Sequence, residues 1–456
     1  MRILLLMPLT LVIAVLGGCA GSISGQALPE PRPLGRGVPV GAPSQGNPAL
    51  AGDVTLRDAL AAALQHNPEL AAFSCEMRAT DARTLQAGLR PNPEIEAESE
   101  EVGGGGERAG FDSAVTTLRL SQVIELGGKR AKRKHIAATE AALAGWDYES
   151  KRLDVLTSVT RVFVDLLAAQ ERSTLAAESL SLAERVLAAV AEQVKAGKVS
   201  PVEETKAGVA AASARIEQRQ AQRGLDAARR QLALLCGASA ADFTRAIGRF
   251  DQIGPVPSAE RLAELVTQNP DVARWQTELD QRQAALALEK SKRVPDVTVS
   301  AGAQRFHAED ETAYVVGLSV PLPLFDRNQG AIREAVAKVA KAREEQRAAE
   351  LRAHVELTAA YEALSSAHAE ATALRADVLP AAQSAFDAAQ EGFRQGKFDF
   401  LVVLDAQRTL IESKGQYIQA LAEYHKSIAD VERLIGQGLD MVTNYSGDKE
   451  DTRHDD

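Results

Sequence analysis

The segment VVGLSVPLPLFDRNQGAIREAVAKVAK, which spans Val315–Lys341, changes from a strand pattern to a helix pattern within a few residues. Its first part is a strand-like apolar run, two prolines interrupt it, and a stretch rich in Ala, Lys, Arg and Glu follows. A segment with the same order of features, TTLRLSQVIELGGKRAKRKHIAATEAA, occurs in the first half of the chain at Thr116–Ala142. The sequence therefore predicts a short strand that leads directly into a long helix, and it predicts this twice.

The similarity between the two halves extends over most of the chain. Five landmarks recur in the same order, and the two positions of each landmark differ by 198 to 202 residues. The pairs are Asn67 and Asn269, Pro93 and Pro295, Leu120 and Leu318, Gly197 and Gly396, and Gly237 and Gly436. Because chance does not preserve both order and spacing, the chain is predicted to be an internal duplication.

The duplication divides the chain into a first repeat, 53–237, a connecting segment, 238–257, and a second repeat, 258–437. Each repeat is predicted to contain a short helix before Asn-Pro, a second helix, two strands, a long helix and a returning helix of about 35 residues. The second helices are expected over 69–89 and 271–292, the strands near 93–101, 113–122, 295–304 and 313–322, and the long helices over 129–195 and 330–394. Each long helix would measure about 100 Å at 1.5 Å per residue.

The predicted strands alternate between polar and apolar residues. In the first strand one side is acidic, with Glu94, Glu96, Glu98 and Glu100. Alternation over about ten residues is typical of strands that cross an outer membrane with their polar side facing a lumen. Four strands cannot close a barrel, and open sheet edges are not tolerated in lipid, so several chains are expected to combine. The glutamates either attract cations to the lumen or simply supply the polar surface that a lumen needs.

Residues 1–18 have the features of a signal peptide, with Arg2, an apolar run and the small-residue site LGGC. Cys19 resembles the lipidated cysteine of a bacterial lipobox, which implies diacylglycerol and palmitate on a mature N-terminus at this residue. The alternative is an ordinary signal peptide with a chance cysteine. Residues 19–52, rich in Pro, Gly and Ser, are predicted to form an anchor and tether, and residues 438–456 a polar tail.

The composition and motifs argue against several classes of function. The formal net charge of −10 does not suit a nucleic-acid-binding protein. No motif of a nucleophilic hydrolase, zinc protease or phosphate loop occurs, so no catalytic residue is assigned and an enzyme is not expected. The seven histidines never occur at i, i+4 spacing, and neither a metal site nor a cofactor beyond the lipid is predicted. Cys75 and Cys236 are expected to be small buried residues, and a disulfide between them is left open.

Over Asp53–Gly436 the chain resembles the TolC-type outer-membrane factor family. The resemblance rests on the lipobox, the duplication, the helix–strand–strand–long-helix order and the LDAQ segment at Leu404–Gln407. The segments IELGGKRAKR and PLPLFDRNQGAI are similar to the CzcC-like heavy-metal efflux branch of that family.

The resemblance implies a mainly α-helical protein with a membrane β-barrel. Three copies would contribute twelve strands to one barrel in the outer membrane of a Gram-negative bacterium, continued by a periplasmic α-helical barrel. The implied function is the exit duct of a resistance-nodulation-division pump, joined through a periplasmic adaptor and exporting heavy-metal cations such as cobalt, zinc, cadmium, copper or silver. Alternatives are a multidrug or type I protein-secretion outlet and, in another class, a lipidated periplasmic coiled-coil adaptor, which would lack the duplication.

Two sets of residues mark the ends of the predicted tunnel. The change from barrel to tunnel is assigned to Pro321, Pro323, Gly127 and Gly128. The helical turns at the periplasmic tip, where the resemblance implies that the adaptor docks, are assigned to Gly197, Lys198, Gly396 and Lys397. Each of these turns is predicted to need a glycine with a left-handed backbone, because a tight turn stops one helix before the next begins.

The periplasmic gate is assigned from the resemblance alone. In the family two aspartates three residues apart line the closed constriction, and Asp405 matches the second of them. Val402 stands at the first position, a departure from the family pattern, and Asp399 is the candidate replacement one turn away. The alternative is that Asp405 forms an ion pair with a nearby arginine such as Arg408.

A basic run, Lys129, Arg130, Lys132, Arg133 and Lys134, stands at the start of the first long helix, where cations oppose the helix dipole. Two explanations stay open. These side chains either form ion pairs with neighbouring helices or are simply solvated, or they contact phospholipid headgroups of the inner leaflet.

Overall fold

A computed structural model describes residues 50–108 and 110–439. The predicted signal peptide, Cys19, most of the tether and most of the polar tail lie outside the described residues. The described chain is mainly α-helical, which confirms the predicted fold class.

The first repeat contains β1 (Gly52–Thr55), α1 (Leu56–His66), α2 (Pro68–Ala87), β2 (Glu94–Glu100), β3 (Val115–Ile124), α3 (Lys129–Lys195) and α4 (Pro201–Leu235). The connecting segment contains β4 (Phe243–Ile247). The second repeat contains α5 (Ala259–Leu265), α6 (Pro270–Ser291), β5 (Val297–Phe306), β6 (Glu311–Ser319), α7 (Gln329–Ala373), α8 (Leu379–Arg394) and α9 (Phe400–Ile435). A π-helical turn, Leu374–Val378, joins α7 to α8, and 3₁₀ turns cover Gly106–Arg108 and Val266–Gln268.

The second long helix is interrupted where the first is continuous. The helix α3 runs for 67 residues without a proline, whereas Pro380 follows the π turn between α7 and α8. Proline has no N–H to donate along a helix. The turn instead contains a hydrogen bond across five residues, from the Leu379 N–H to the Leu374 carbonyl.

Two short strands were not predicted from the sequence. The strand β1 pairs in parallel with β4, with Asp53 opposite Arg245 and Thr55 opposite Ile247. Leu50 and Gly52, which were assigned to the tether, therefore lie within the fold, and Leu50 is buried in the main core. The segment 238–257 is likewise more than a connection, because it supplies β4. Strands of four and five residues are too short to show a clear period in sequence.

The main hydrophobic core surrounds the middle of α3. Val159, Phe163 and Leu166 are buried there at spacings of four and three, as the helical periodicity predicts. The same cluster includes Leu232 of α4 and Phe243 of β4. The two short strands thus help to cover the centre of the long helix.

The landmark Asn269 joins the start of one helix to the end of another. Its Oδ1 accepts a hydrogen bond from the Asp271 N–H at 2.8 Å and so caps α6. Its Nδ2 donates to the carbonyls of Arg433 and Leu434, near the end of α9, at 2.8 and 2.9 Å. One buried amide therefore satisfies backbone groups at two helix ends.

Asn67 does the same in the first repeat. Its Oδ1 accepts from the Glu69 N–H at 2.9 Å, and its Nδ2 donates to the Leu235 carbonyl of α4 at 3.3 Å. The repeated Asn-Pro pair thus has one structural cause: proline begins the helix, and asparagine caps it and holds the returning helix.

We expect Asn269→Ala to lower the free energy of unfolding by about 2–3 kcal/mol, because it removes a cap and leaves two buried carbonyls without a donor. Thermal unfolding of the detergent-solubilised protein, followed by circular dichroism, measures the effect. Gln383→Ala is the matched control, since Gln383 forms an exposed hydrogen bond within α8. Equal thermal unfolding midpoints for the two variants would contradict the stabilising role of Asn269 at the two helix ends.

Candidate functional site

The four-stranded sheet, in the order β2-β3-β5-β6, has one apolar face that is open to its surroundings. Ile95 and Val316 on this face are 76% and 82% exposed. The antiparallel register continues the apolar face across all four strands. The facing pairs are Ile95 with Leu120, Ala97 with Leu118, Val299 with Leu318, Ala301 with Val316, and Ala303 with Tyr314. An exposed apolar face of this extent is typical of a surface that contacts an apolar environment.

The opposite face carries the four predicted glutamates. The register sets Glu94, Glu96, Glu98 and Glu100 against Ser121, Arg119, Thr117 and Val115, respectively. Glu96 forms an ion pair with Arg119 at 3.2 Å, a partner that the sequence did not identify. The glutamates therefore share one face as predicted, but one of the four negative charges is already compensated within the chain. Their role in a lumen stays a prediction.

Both transitions from strand to helix use residues with a left-handed backbone. Gly127 and Gly128 have φ of +69° and +71° before α3, and Asn328 has φ of +58° before α7. A side chain at Gly127 would lie 3.1 Å from the Ser291 carbonyl, so the position also needs its small size. Asn328 is held by hydrogen bonds from its Nδ2 to the Glu289 carbonyl and carboxylate at 2.9 and 2.7 Å.

The prolines of the second transition shorten its strand. The sequence predicted a strand to Leu322, but β6 ends at Ser319, and Pro321 and Pro323 lie in the exposed segment before α7. Proline cannot donate a hydrogen bond to a neighbouring strand, so the ladder stops before the first of them.

Ion pairs account for part of the basic run at the start of α3. Lys129 is buried and contacts Asp296 at 2.8 Å. Arg133 forms two hydrogen bonds with Glu125, and its guanidinium lowers the pKa of that carboxyl below its usual range. Arg130 is exposed and forms no ion pair with the described residues. Ion pairing therefore accounts for two of the five basic residues, but their partners lie in the segments beside β3 and β5 rather than in neighbouring helices as predicted.

The predicted tip glycines end their helices in the expected way. Gly197 and Gly396 have φ of +69° and +71°. Lys198 N–H donates to the Gln193 carbonyl at 2.9 Å, and Lys397 N–H donates to the Gly392 carbonyl at 2.8 Å, which closes the same type of turn in both hairpins. Both lysines are exposed. The adaptor-docking role of the four residues stays a prediction.

The two hairpins contact each other near their tips through a residue that was not singled out from the sequence. Phe400, the first residue of α9, is buried in one cluster with Val190 of α3 and Ala207 of α4. Its only sequence signal was a large aromatic residue directly after a turn. The tips therefore form one surface rather than two separate hairpins.

The candidate gate residues are accessible. Asp405 and Asp399 are exposed, and neither carboxylate forms an ion pair with the described residues. The alternative pairing of Asp405 with Arg408 is wrong, because Arg408 instead contacts Glu412 at 2.7 Å. Asp405 and Glu412 both lie at helical spacing from Arg408, and the guanidinium contacts Glu412.

Across residues 50–108 and 110–439, no three His, Cys, Asp or Glu side chains are grouped in a way that could hold a metal ion. Cys75 and Cys236 are both free thiols, and Cys75 is exposed rather than buried as expected. Burial raises the pKa of Cys236 to about 11. Within the described chain, none of the helices has the length and apolar character needed to cross a membrane.

The profile of the family described as Outer membrane efflux protein matches residues 59–238 and 262–437. The chain belongs to this family, whose members are outer-membrane efflux channels and thus transporters rather than enzymes. This confirms the family predicted from the sequence and assigns the chain to the outer membrane.

Relatives agree with the predicted branch. The chain is 37% identical over 387 residues to the cobalt-zinc-cadmium resistance protein CzcC of Cupriavidus metallidurans, which covers 85% of this chain and 91% of CzcC. It is 26% identical over 289 residues to the nickel-cobalt-cadmium resistance protein NccC of Alcaligenes xylosoxydans xylosoxydans, covering 63% and 64% of the two chains. A crystal structure of CusC shares the fold, with a TM-score of 0.72 and 17% identity over 87% of this chain and 97% of that one.

We expect Gly197→Ala and Gly396→Ala to destabilise their hairpins by about 1 kcal/mol, because a Cβ disfavours the left-handed backbone. Neither position has an atom within 4 Å of the added Cβ, so crowding does not contribute. Faster tryptic cleavage after Lys198 or Lys397 reports the loosened turn. Gly208→Ala, in the interior of α4 with similar open space, should slow cleavage or leave it unchanged. The same response at all three glycines would contradict this prediction.

Proposed function

We propose that the chain is the outer-membrane exit duct of a tripartite resistance-nodulation-division efflux system that exports heavy-metal cations such as cobalt, zinc and cadmium, with copper and silver as further candidates. The observation that carries the proposal is the four-stranded sheet, which has an exposed apolar face and two free edges and leads directly into very long helices. Such a sheet cannot stand alone in lipid, because its edge strands leave backbone groups unpaired.

Three copies satisfy this constraint. Within the sheet each strand is antiparallel to its neighbour, so β2 and β6, at the two edges, run in opposite directions. The β6 strand of one copy can therefore pair with β2 of the next in the same antiparallel pattern. Closure by cyclic symmetry removes every edge, and three sheets of four strands would give the barrel of twelve strands that the family resemblance implied.

The helices are proposed to continue this barrel through the periplasm. The helix α3 has 67 residues, which corresponds to about 100 Å of straight helix. The tips, with exposed Lys198 and Lys397 beside tight turns, would then face the inner membrane and dock the adaptor. In this arrangement Cys19, at the other end of the tether, would carry diacylglycerol and palmitate and add a lipid anchor.

The metal cargo is proposed from the relatives. CzcC and NccC carry cobalt, zinc, nickel and cadmium resistance in their names. The acidic face of β2 suits cation passage, because separated carboxylates attract cations without the dense coordination that would hold them. The pump, rather than the duct, is expected to select among the metals.

Complementation tests the proposed function. The gene is expressed in a Gram-negative strain that retains a cobalt-zinc-cadmium pump and its adaptor but lacks their outer-membrane protein. Restored growth in zinc, cobalt and cadmium is expected, because the duct completes the export route. A strain that also lacks the pump is the control and should stay sensitive. If trimers form in the outer membrane and sensitivity persists, the chain does not serve this pump class.

Asp405 is proposed to form the closed gate. Its carboxylate is exposed and uncompensated, and Arg408 beside it is already engaged by Glu412. Around a threefold axis three such carboxylates would place like negative charges close together and attract divalent cations.

We expect Asp405→Asn to weaken block of single-channel current by a divalent cation by about tenfold, because the gate loses its charges. Conductance of the purified channel in planar bilayers, titrated with the divalent ion, measures this effect. Asp387→Asn, at another exposed carboxylate in the same hairpin on α8, is the control and should retain block. Unchanged block in the Asp405 variant would remove the residue from the gate.

A further inference from the structure

The junction between the sheet and the long helices carries a large positive surplus. We define the junction as residues 88–92, 125–134, 289–296 and 320–333, where the strands give way to helices. These segments contain eleven Lys and Arg residues against four Asp and Glu, a formal charge of +7 per copy. Contacts between these segments hold them together. They include the Lys129–Asp296 ion pair and the hydrogen bonds from Asn328 to Glu289.

All four acidic residues of the junction are already used within it. Glu125 pairs with Arg133, Asp296 with Lys129, and Glu289 with Lys292, while Asp326 accepts a hydrogen bond from the Asn328 N–H. Seven basic residues of the junction are left exposed with no ion pair to the described residues. Two of them, Lys290 and Arg333, lie within α6 and α7. The other five, which we call the basic collar, are Arg90, Arg130, Lys134, Arg293 and Arg327.

Exposed apolar side chains lie in the same segments. Phe325 is 92% exposed, and Leu322 and Leu324 before it are also exposed. They lie three to six residues after the end of β6, in the segment between the sheet and α7. A combination of apolar side chains and exposed cations suits the interface of a membrane, where apolar groups reach the acyl chains and cations reach the phosphates.

The opposite end of the sheet has the opposite charge. Exposed acidic residues there include Glu98, Glu100, Glu101, Glu309 and Glu311. The positive surplus is therefore a property of the helix end of the sheet and not of the sheet as a whole. A membrane partner of the helix end must offer negative charge.

From these observations we infer that the basic collar binds the phosphate headgroups of anionic glycerophospholipids in the periplasmic leaflet of the outer membrane. The inference rests on the proposed placement of the sheet in that membrane. The collar fixes the depth of the sheet in the outer membrane through electrostatic contacts. The apolar side chains favour the acyl chains of the lipid, whereas the charged groups stay at the membrane surface.

Native mass spectrometry of the full-length protein tests this inference. The purified protein is mixed with equal amounts of phosphatidylglycerol and phosphatidylethanolamine that have identical acyl chains. We expect the wild-type protein to retain phosphatidylglycerol at least fivefold more often, and a variant with all five collar residues changed to Gln to bind the two lipids within twofold of each other. The matched control changes five exposed basic residues outside the junction to Gln and should keep the preference; these are Arg219, Arg223, Arg230, Arg249 and Arg343.

A charge-conserving variant separates electrostatics from folding. Arg90→Lys, Arg130→Lys, Arg293→Lys and Arg327→Lys together keep every charge and should retain the preference for phosphatidylglycerol. The inference is overturned if the wild-type protein shows no headgroup preference, or if the distant control loses the preference as fully as the collar variant. Failure of metal complementation with the lipid preference intact would instead count against the proposed function alone.

Discussion

The change from strand to helix is the constraint on which the rest of this structure depends. Backbone hydrogen bonds run between strands on one side of the junction and along a single helix on the other. Between β3 and α3 the change from one hydrogen-bonding pattern to the other takes place over residues 125–128. Gly128 and Asn328, which have a left-handed backbone, make this change from strand to helix possible. Ion pairs such as Lys129–Asp296 then hold the basic start of the helix against the sheet and offset its unfavourable position near the helix N-terminus.

The two repeats use the same residue types at some equivalent positions and different ones at others. Asn67 and Asn269 cap a helix and hold a returning helix in both copies, because the short amide side chain carries an oxygen acceptor and an NH₂ donor on separate atoms. The glycines of the two tips are equally alike in backbone. At the start of the long helix, however, Asn328 stands where the first repeat has Gly128. Asparagine tolerates the same left-handed backbone, and its amide adds contacts to Glu289 that glycine cannot make.

Periodicity explains which parts of the fold were predictable. The extent of α3, 129–195, followed from a long apolar stripe, and the face that Glu94 and Glu98 share followed from simple alternation. The strands β1 and β4 were missed because each pairs with a segment far away in sequence and is too short for a pattern. The partners of charged residues were also unpredictable. Arg119 contacts Glu96 only through a strand register that the sequence does not specify. Arg408 had two acidic neighbours at helical spacing, Asp405 and Glu412, and the sequence does not distinguish between them.

The π turn before Pro380 distinguishes the two hairpins, which otherwise look alike. In an assembly of three copies the six hairpins would form a ring with approximate sixfold symmetry, since each copy contributes two. Only the second hairpin of each copy contains the turn, and π turns and prolines are the usual sites of kinks in helices. The symmetry of such a ring would therefore be threefold in the regularity of its helices as well as in its sequence. Every second hairpin would have a site at which a kink can form, and the hairpins between them would keep a long helix with regular hydrogen bonding.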